Sequence, residues 1–453
     1  MAKLLNQTLG YYNSSFFRMH IATDEKIDLR TLNAKDFEVL IHEYIHFIQD
    51  ITTIHGLANT FTTIQVLKYL TNKIYKTPNN KFNVPFDLNN VSNFVYFNYL
   101  MKSISYGDTN SYNYANVVGY NKKNKNVDDR CVVKSMPIIE LEVKDEVGNL
   151  SKYKFGAGCI YESMAYIMQK NMTKSVVNPP DLPYYSAIKL AEFIYKEFAE
   201  NELNVLAMCD ISLNTSNPGK VFVDIIERWK QKGEIPSNPR ELYDEFYKET
   251  LQNTTATQNG TSKNEACFLD TFKSFSITAE QQLTTAYFRP TSESSQDEFN
   301  TTMRLINEWV VEIFKSAIKW RTENRYFILE MATCDKPHEN KIFIDFFNDF
   351  GLPFCTNENN DGYFYHKQFL TSNLQLSYFS VVGEILNVFN GDFDKCGLFK
   401  YCQKCEVDKT SDVITDDRCS TPWKRSFDNR LCPFALVWRH WNLANYEPIF
   451  KTE

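Results

Sequence analysis

From Asn33 to Asp50 the apolar residues Phe37, Leu40, Ile41, Tyr44, Ile45 and Ile48 recur at three- and four-residue steps, with no Gly or Pro between them. That period predicts an amphipathic helix with one face turned to the core. Asn33 reads as its N-cap and Asp36 as the third helical residue, a capping-box-like pair whose carboxylate faces the positive end of the helix dipole. A second helical pattern follows through Leu57, Phe61, Ile64, Leu67 and Leu70, with Gly56 expected to mark the break between the two. Upstream, residues 16–22 have the aromatic and apolar density of a strand.

Further along, residues 78–93 are rich in Asn and read as a loop before helix resumes near Val95. Residues 108–129 are polar and predict an exposed excursion. Residues 138–143 alternate as a strand, 145–149 make a turn, and 153–155 return, so a hairpin is expected ahead of a helix that follows Gly156-Ala157-Gly158. Helical patterns then occupy 187–208, 221–229, 240–250, 267–288 and 299–321, with polar loops at 252–264 and 290–295. After Tyr326 short apolar segments alternate with loops such as 357–362. The expected class is α+β, mainly helical.

Length permits one large elaborated domain or two, since 453 residues exceed a simple single core. Composition is globular: 43% hydrophobic and 15% aromatic residues supply a sizeable core. A net charge of -7 argues against nucleic-acid binding by general phosphate attraction. Neither a secretory leader nor an eighteen-residue apolar run is visible, so the expectation is a cytoplasmic protein without membrane contact. Eleven cysteines, an odd number crowded toward the C-terminus, fit reduced thiols and a metal site better than a disulfide framework.

The first helix carries the chemistry. His42-Glu43-Tyr44-Ile45-His46 sets two imidazoles four residues apart on one helical face, where they can converge on one zinc ion. Glu43, beside the first histidine, can reach a zinc-bound water without being a ligand, the position of a general base. The plain alternative is a pair of core histidines. A third protein ligand is needed, and Glu162 is the first acidic residue downstream that falls on a convincing helix, followed three residues later by small Ala165. His55 reads more readily as a loop histidine than as a ligand. Asp50 is either an acceptor that orients a ligand imidazole or a solvated helix-end carboxylate. Tyr184 and Tyr185 are candidate oxyanion donors, although with 26 tyrosines in the chain core packing is the readier explanation.

His42, Glu43, His46 and Glu162 together resemble the gluzincin branch of the zincin-like metallopeptidases, whose motif is His-Glu-x-x-His on one helix plus a downstream helical Glu. The metzincin branch fits less well, because Gln49 and Thr52 stand where it requires Gly and His. The resemblance rests on short motifs in the first half of the chain, and the gap from His46 to Glu162 implies an insertion. It implies a zincin-like catalytic domain, a protein or peptide substrate, one catalytic Zn2+, and a general base at Glu43. Some control of a cytoplasmic protease is expected, for example a regulatory protein partner. The rival reading is a non-catalytic zincin-like interaction protein that engages a partner through the cleft or the C-terminal tail.

That tail, 396–453, is expected to form a Cys-rich module after a catalytic domain spanning 1–395. Cys402 and Cys405 make a Cys-x-x-Cys pair, and Cys419 and Cys432 complete four candidate ligands for a structural zinc ion, with Cys396 able to replace either of the last two. Buried free thiols among Trp423, Phe427, Phe434, Trp438 and Trp441 are the alternative. A zinc-ribbon nucleic-acid binder is a third reading, and it predicts salt-dependent binding.

Overall fold

A computed structural model of the chain describes residues 9–87, 93–127, 135–173, 178–255, 268–286, 298–367, 373–408, 415–428 and 432–451. Helix makes up 59% of it, so the expected mainly helical α+β class holds. No described helix is long and apolar enough to cross a membrane.

The first helix, α1 (Ala34–Thr52), is the axis of the molecule. Asn33 caps it as its sequence predicts: the side-chain oxygen accepts from Asp36 N–H at 3.0 Å and the amide donates to the Asp36 carboxylate at 2.8 Å. From Glu38 to Asp50 nearly every residue is buried, polar ones included. A sheet of order β1-β2-β7-β8 lies against α1, with β1 (Gly10–Asn13) antiparallel to β2 (Arg18–Ile21), β2 parallel to β7 (Leu352–Thr356), and β7 antiparallel to β8 (Gly362–Tyr365). The expected strand at 16–22 is β2.

Helix α2 (Ile54–Ile74) reverses on α1 at Thr53, not at Gly56. Thr53 is extended, and its hydroxyl accepts from Gly56 N–H at 3.0 Å, which caps α2. Gly56 sits inside the first turn, where a Cβ would lie 2.5 Å from the Asp50 carbonyl oxygen. Its role is close approach, not a break.

The segment 78–93 holds a short strand, β3 (Lys81–Val84), that pairs in parallel with β9 (Glu447–Phe450), and the helix after it is α3 (Asn93–Tyr106). The excursion expected over 108–129 contains β4 (Asn116–Asn126), which joins β5 (Ser135–Lys144) and β6 (Leu150–Phe155) in an antiparallel meander; the predicted hairpin is β5-β6. Then α4 (Ala157–Thr173) crosses α1. The stretch expected as one helix over 187–208 is divided: a short turn α5 (Asp181–Tyr184) precedes α6 (Ser186–Ile194), α7 (Lys196–Ala199) and α8 (Glu202–Leu213). Helices α9 (Pro218–Lys232), α10 (Arg240–Thr255), α11 (Phe268–Ala286) and α12 (Glu298–Glu323) follow the predicted pattern, while most of the loops expected at 252–264 and 290–295 lies outside the described residues. Beyond them come α13 (Phe327–Met331), α14 (Lys341–Phe350), α15 (Asn373–Asn390), α16 (Phe399–Val407) and α17 (Pro433–His440).

A single large apolar core runs through the chain, from Phe17 and Ile45 to Trp423, Trp438 and Leu443. One buried ion pair ties helices to the end of α1. Arg321 of α12 donates from Nη2 and Nη1 to the Asp210 carboxylate of α8 at 2.6 and 2.8 Å, and from Nε to the Thr52 carbonyl at 2.6 Å. Tyr243 of α10 donates to the same carboxylate at 2.9 Å. With Arg321 1% exposed and Asp210 0%, the pair is tolerable only because these charge-assisted bonds satisfy both groups.

Candidate metal centre

His42 and His46 lie one turn apart on α1, and Glu162 reaches them from α4. His42 Nε2 is 3.2 Å from His46 Nε2 and 3.2 Å from Glu162 Oε2, and His46 Nε2 is 3.6 Å from that same oxygen. Among the described residues this is the only group of three or more potential ligands whose donor atoms all lie within 4.8 Å of one another. All three are candidate ligands from the sequence, Glu162 on its helical placement, the small Ala165 three residues on and the gluzincin pattern.

The outer nitrogens of both rings are held by glutamines that no motif announces. Gln49 donates its amide to the Tyr161 carbonyl at 2.9 Å, which turns its oxygen toward His46; His46 Nδ1–H therefore donates to it at 2.8 Å. In the neutral ring that bond leaves the lone pair on Nε2, facing the cluster, the form a metal ion would bind once it displaces the second proton. Gln169, two turns beyond Glu162 on α4, stands 3.0 Å from His42 Nδ1 through its own oxygen. The single hint in the sequence is spacing: Gln49 is three residues after His46, and Gln169 seven after Glu162.

Electrostatically the cluster favours a cation. Burial lowers the basicity of His46, but Glu162 outweighs it, with help from Glu43 and Gln49, and carries the imidazole up to about 9. Glu162, although burial opposes its charge, is held well below the usual carboxylate range by the two histidines. A divalent ion at the same point satisfies the same charge balance.

Glu43 is 7% exposed, and burial raises its carboxyl above the ordinary value while His42 and His46 pull it down. It faces β1, since a Cβ on Gly10 would lie 3.1 Å from Glu43 Cγ. Of the two tyrosines after the proline-rich turn, Tyr185 bonds to the Tyr166 hydroxyl, whereas the Tyr184 ring sits 5.6 Å from that of His42. Burial and the carboxylates of Glu162 and Glu43 keep the Tyr184 hydroxyl protonated. A polar cavity of about 60 Å³ opens beside the cluster, lined by Tyr12, His46, Asp50, Tyr106 and Glu162 among others.

Asp50 fills neither of its expected roles. It is 4% exposed, so not solvated, and it accepts from Tyr12 O–H at 3.0 Å and Ser15 N–H at 2.6 Å, while Gln49 orients His46. Burial, only partly offset by those two bonds, pushes its carboxyl up to about 6. His55 is buried in the first turn of α2, not in a loop; its Nδ1 meets the Tyr161 hydroxyl at 2.8 Å and burial lowers it to about 3. It is a structural group.

None of the nine described cysteines forms a disulfide, and five of them, Cys396, Cys402, Cys405, Cys419 and Cys432, lie in the tail. Cys396, Cys402, Cys419 and Cys432 line a small cavity, and Cys405 is buried one turn beyond Cys402 on α16. No family model, no curated protein and no solved structure matches the chain.

Proposed function

We propose that the chain is a zinc-dependent metallopeptidase of the zincin-like kind, with His42, His46 and Glu162 as ligands and Glu43 as general base. One observation carries the reading: residues from two helices far apart in sequence bring two imidazole Nε2 atoms and a carboxylate oxygen to one point, with an unspent buried carboxylate next to them. The donor set, two imidazole nitrogens and one carboxylate oxygen with Nδ1 of each ring already engaged, suits zinc with a position left open for substrate or water. Zinc in that position would acidify a water and polarise a carbonyl.

The chain's own groups do the rest. Glu43, its basicity raised by burial, takes the proton of the attacking water and passes it to the amide nitrogen that leaves. Tyr184 offers a neutral O–H to the oxygen that gains charge. A peptide is favoured as substrate because, among the described residues, β1 pairs only with β2, and Gly10 at its start packs against Glu43. An extended backbone is the natural complement of an edge strand.

The test is hydrolysis of a peptide and protein library by wild type and Glu43→Gln, with zinc measured in both. The expected result is cleavage by wild type and a loss of roughly 10²–10⁴-fold in the folded, zinc-loaded variant. The rival, a non-catalytic interaction protein, predicts no cleavage by wild type and partner binding that Glu43→Gln leaves unchanged.

A further inference from the structure

We propose that Cys402, Cys405, Cys419 and Cys432 form a second, structural metal site that takes a thiophilic divalent cation, zinc foremost. Three separate short elements deliver the four thiols. Cys402 and Cys405 lie three apart on α16 and so share a face. Cys419 comes from the 3-10 helix Asp417–Ser420, and Cys432 is the N-cap of α17. All four are buried, between 6% and 8% exposed, although Cys402 and Cys432 lie 30 positions apart in sequence. Cys402, Cys419 and Cys432 border a cavity of about 20 Å³ whose other walls are mostly apolar, Leu398, Phe399, Pro422 and Phe434 among them, while Cys405 lies one turn after Cys402 on α16, outside that lining. A site closed to water with sulfur on several sides is what a structural zinc ion requires, in contrast to the open position kept at His42 and His46.

Two of the sulfurs already have donors suited to thiolates. Ala435 N–H donates to Cys432 Sγ at 3.4 Å, at the positive end of the α17 dipole. Arg425 Nη1 approaches Cys419 Sγ at 3.8 Å, and Arg425, only 2% exposed, brings a positive charge beside a centre that would carry two net negative charges when four thiolates hold one Zn2+. The sulfurs do not meet the mutual 4.8 Å spacing seen at the first centre. Closing on an ion therefore takes thiol rotation about χ1, with release of four protons to solvent. Cys396 also borders the cavity, yet its neighbour Gly397 donates N–H to Glu384 at 2.9 Å, within the buried Arg18–Glu384 pair. We assign it outside the ligand set.

The site would tie α16, the 3-10 helix Asp417–Ser420 and α17 together. The experiment uses the full chain carrying His46→Ala, which removes the first centre from consideration. Elemental analysis should find about one zinc per chain, and a mercurial titrant should release it in step with four thiols. Adding Cys419→Ser should lower zinc to near zero, while adding Cys396→Ser should leave it in place. Should Cys419→Ser fail to fold, the titration of the His46→Ala protein still decides. The proposal is overturned if that protein neither holds zinc nor takes it up from added Zn2+, if the four cysteines prove oxidised in pairs, or if Cys396→Ser removes the metal. Failure here leaves the first centre untouched, since wild-type zinc would then be lost on His46→Ala alone.

Discussion

Gln49→Leu removes the oxygen that holds His46 Nδ1–H at 2.8 Å and puts an apolar group of similar length in its place. The imidazole donor is then buried without its acceptor, and the Tyr161 carbonyl loses the amide that reaches it at 2.9 Å. An unsatisfied buried polar group costs about 1–3 kcal/mol. Where that cost falls on the ligand's orientation and basicity, it corresponds to roughly 5- to 150-fold weaker zinc binding. Competition against a chelator of known affinity reads the change directly, with circular dichroism confirming that α1 and α4 remain folded. Gln169→Leu probes the same effect at His42 and should fall in the same range, without touching the Tyr161 carbonyl. Unchanged zinc affinity in both folded variants would refute the assignment of the glutamines as orienting groups.

Two further variants test the surroundings. Asp50→Asn keeps an oxygen for Tyr12 and Ser15, both of which bond the same carboxylate oxygen, but removes a buried charge. The native carboxyl is raised to about 6, so its favourable contribution is present at low pH and is lost as pH rises through 6. Asp50→Asn should therefore be more stable than wild type at pH 8, by up to about 3 kcal/mol, with the advantage shrinking below ~1 kcal/mol near pH 4; a constant difference in urea unfolding across that range would contradict the buried-charge account. Asp210→Ala strands Arg321 as a buried cation and should cost about 3–5 kcal/mol by the same assay, more than removal of any exposed pair such as Lys341–Asp345.

What could be read in advance was what is local and periodic. The cap at Asn33, the stripe from Phe37 to Ile48 and the two histidines on one face are properties of a single helix, and the helix forms as its pattern dictates. Glu162 was legible because a carboxylate on a helix is a plausible third ligand. Gln49 and Gln169 were not, because a neutral amide carries no motif and its role depends on α4 crossing α1. Strand β4 was hidden by its composition: Lys122, Lys123 and Lys125 lie in a strand with little burial on either face. It forms because β5, with Met136, Ile139, Leu141 and Val143 buried, needs a partner on its open edge. Strand β3 pairs with β9 across more than 360 positions, and nothing near Lys81 encodes that distance. Gly56 was misplaced because glycine marks both breaks and close approaches; only the Asp50 carbonyl against it distinguishes the two.

The central claim is that His42, His46 and Glu162 hold a metal. Anomalous scattering from a crystal of the purified chain, collected on either side of the zinc edge, tests it directly. The account predicts a peak within about 2.0–2.2 Å of both Nε2 atoms and a Glu162 carboxylate oxygen, with Glu43 beside it and outside bonding distance. An ordered cluster with no anomalous peak, its histidines still bonded to one another and to Glu162, would contradict it.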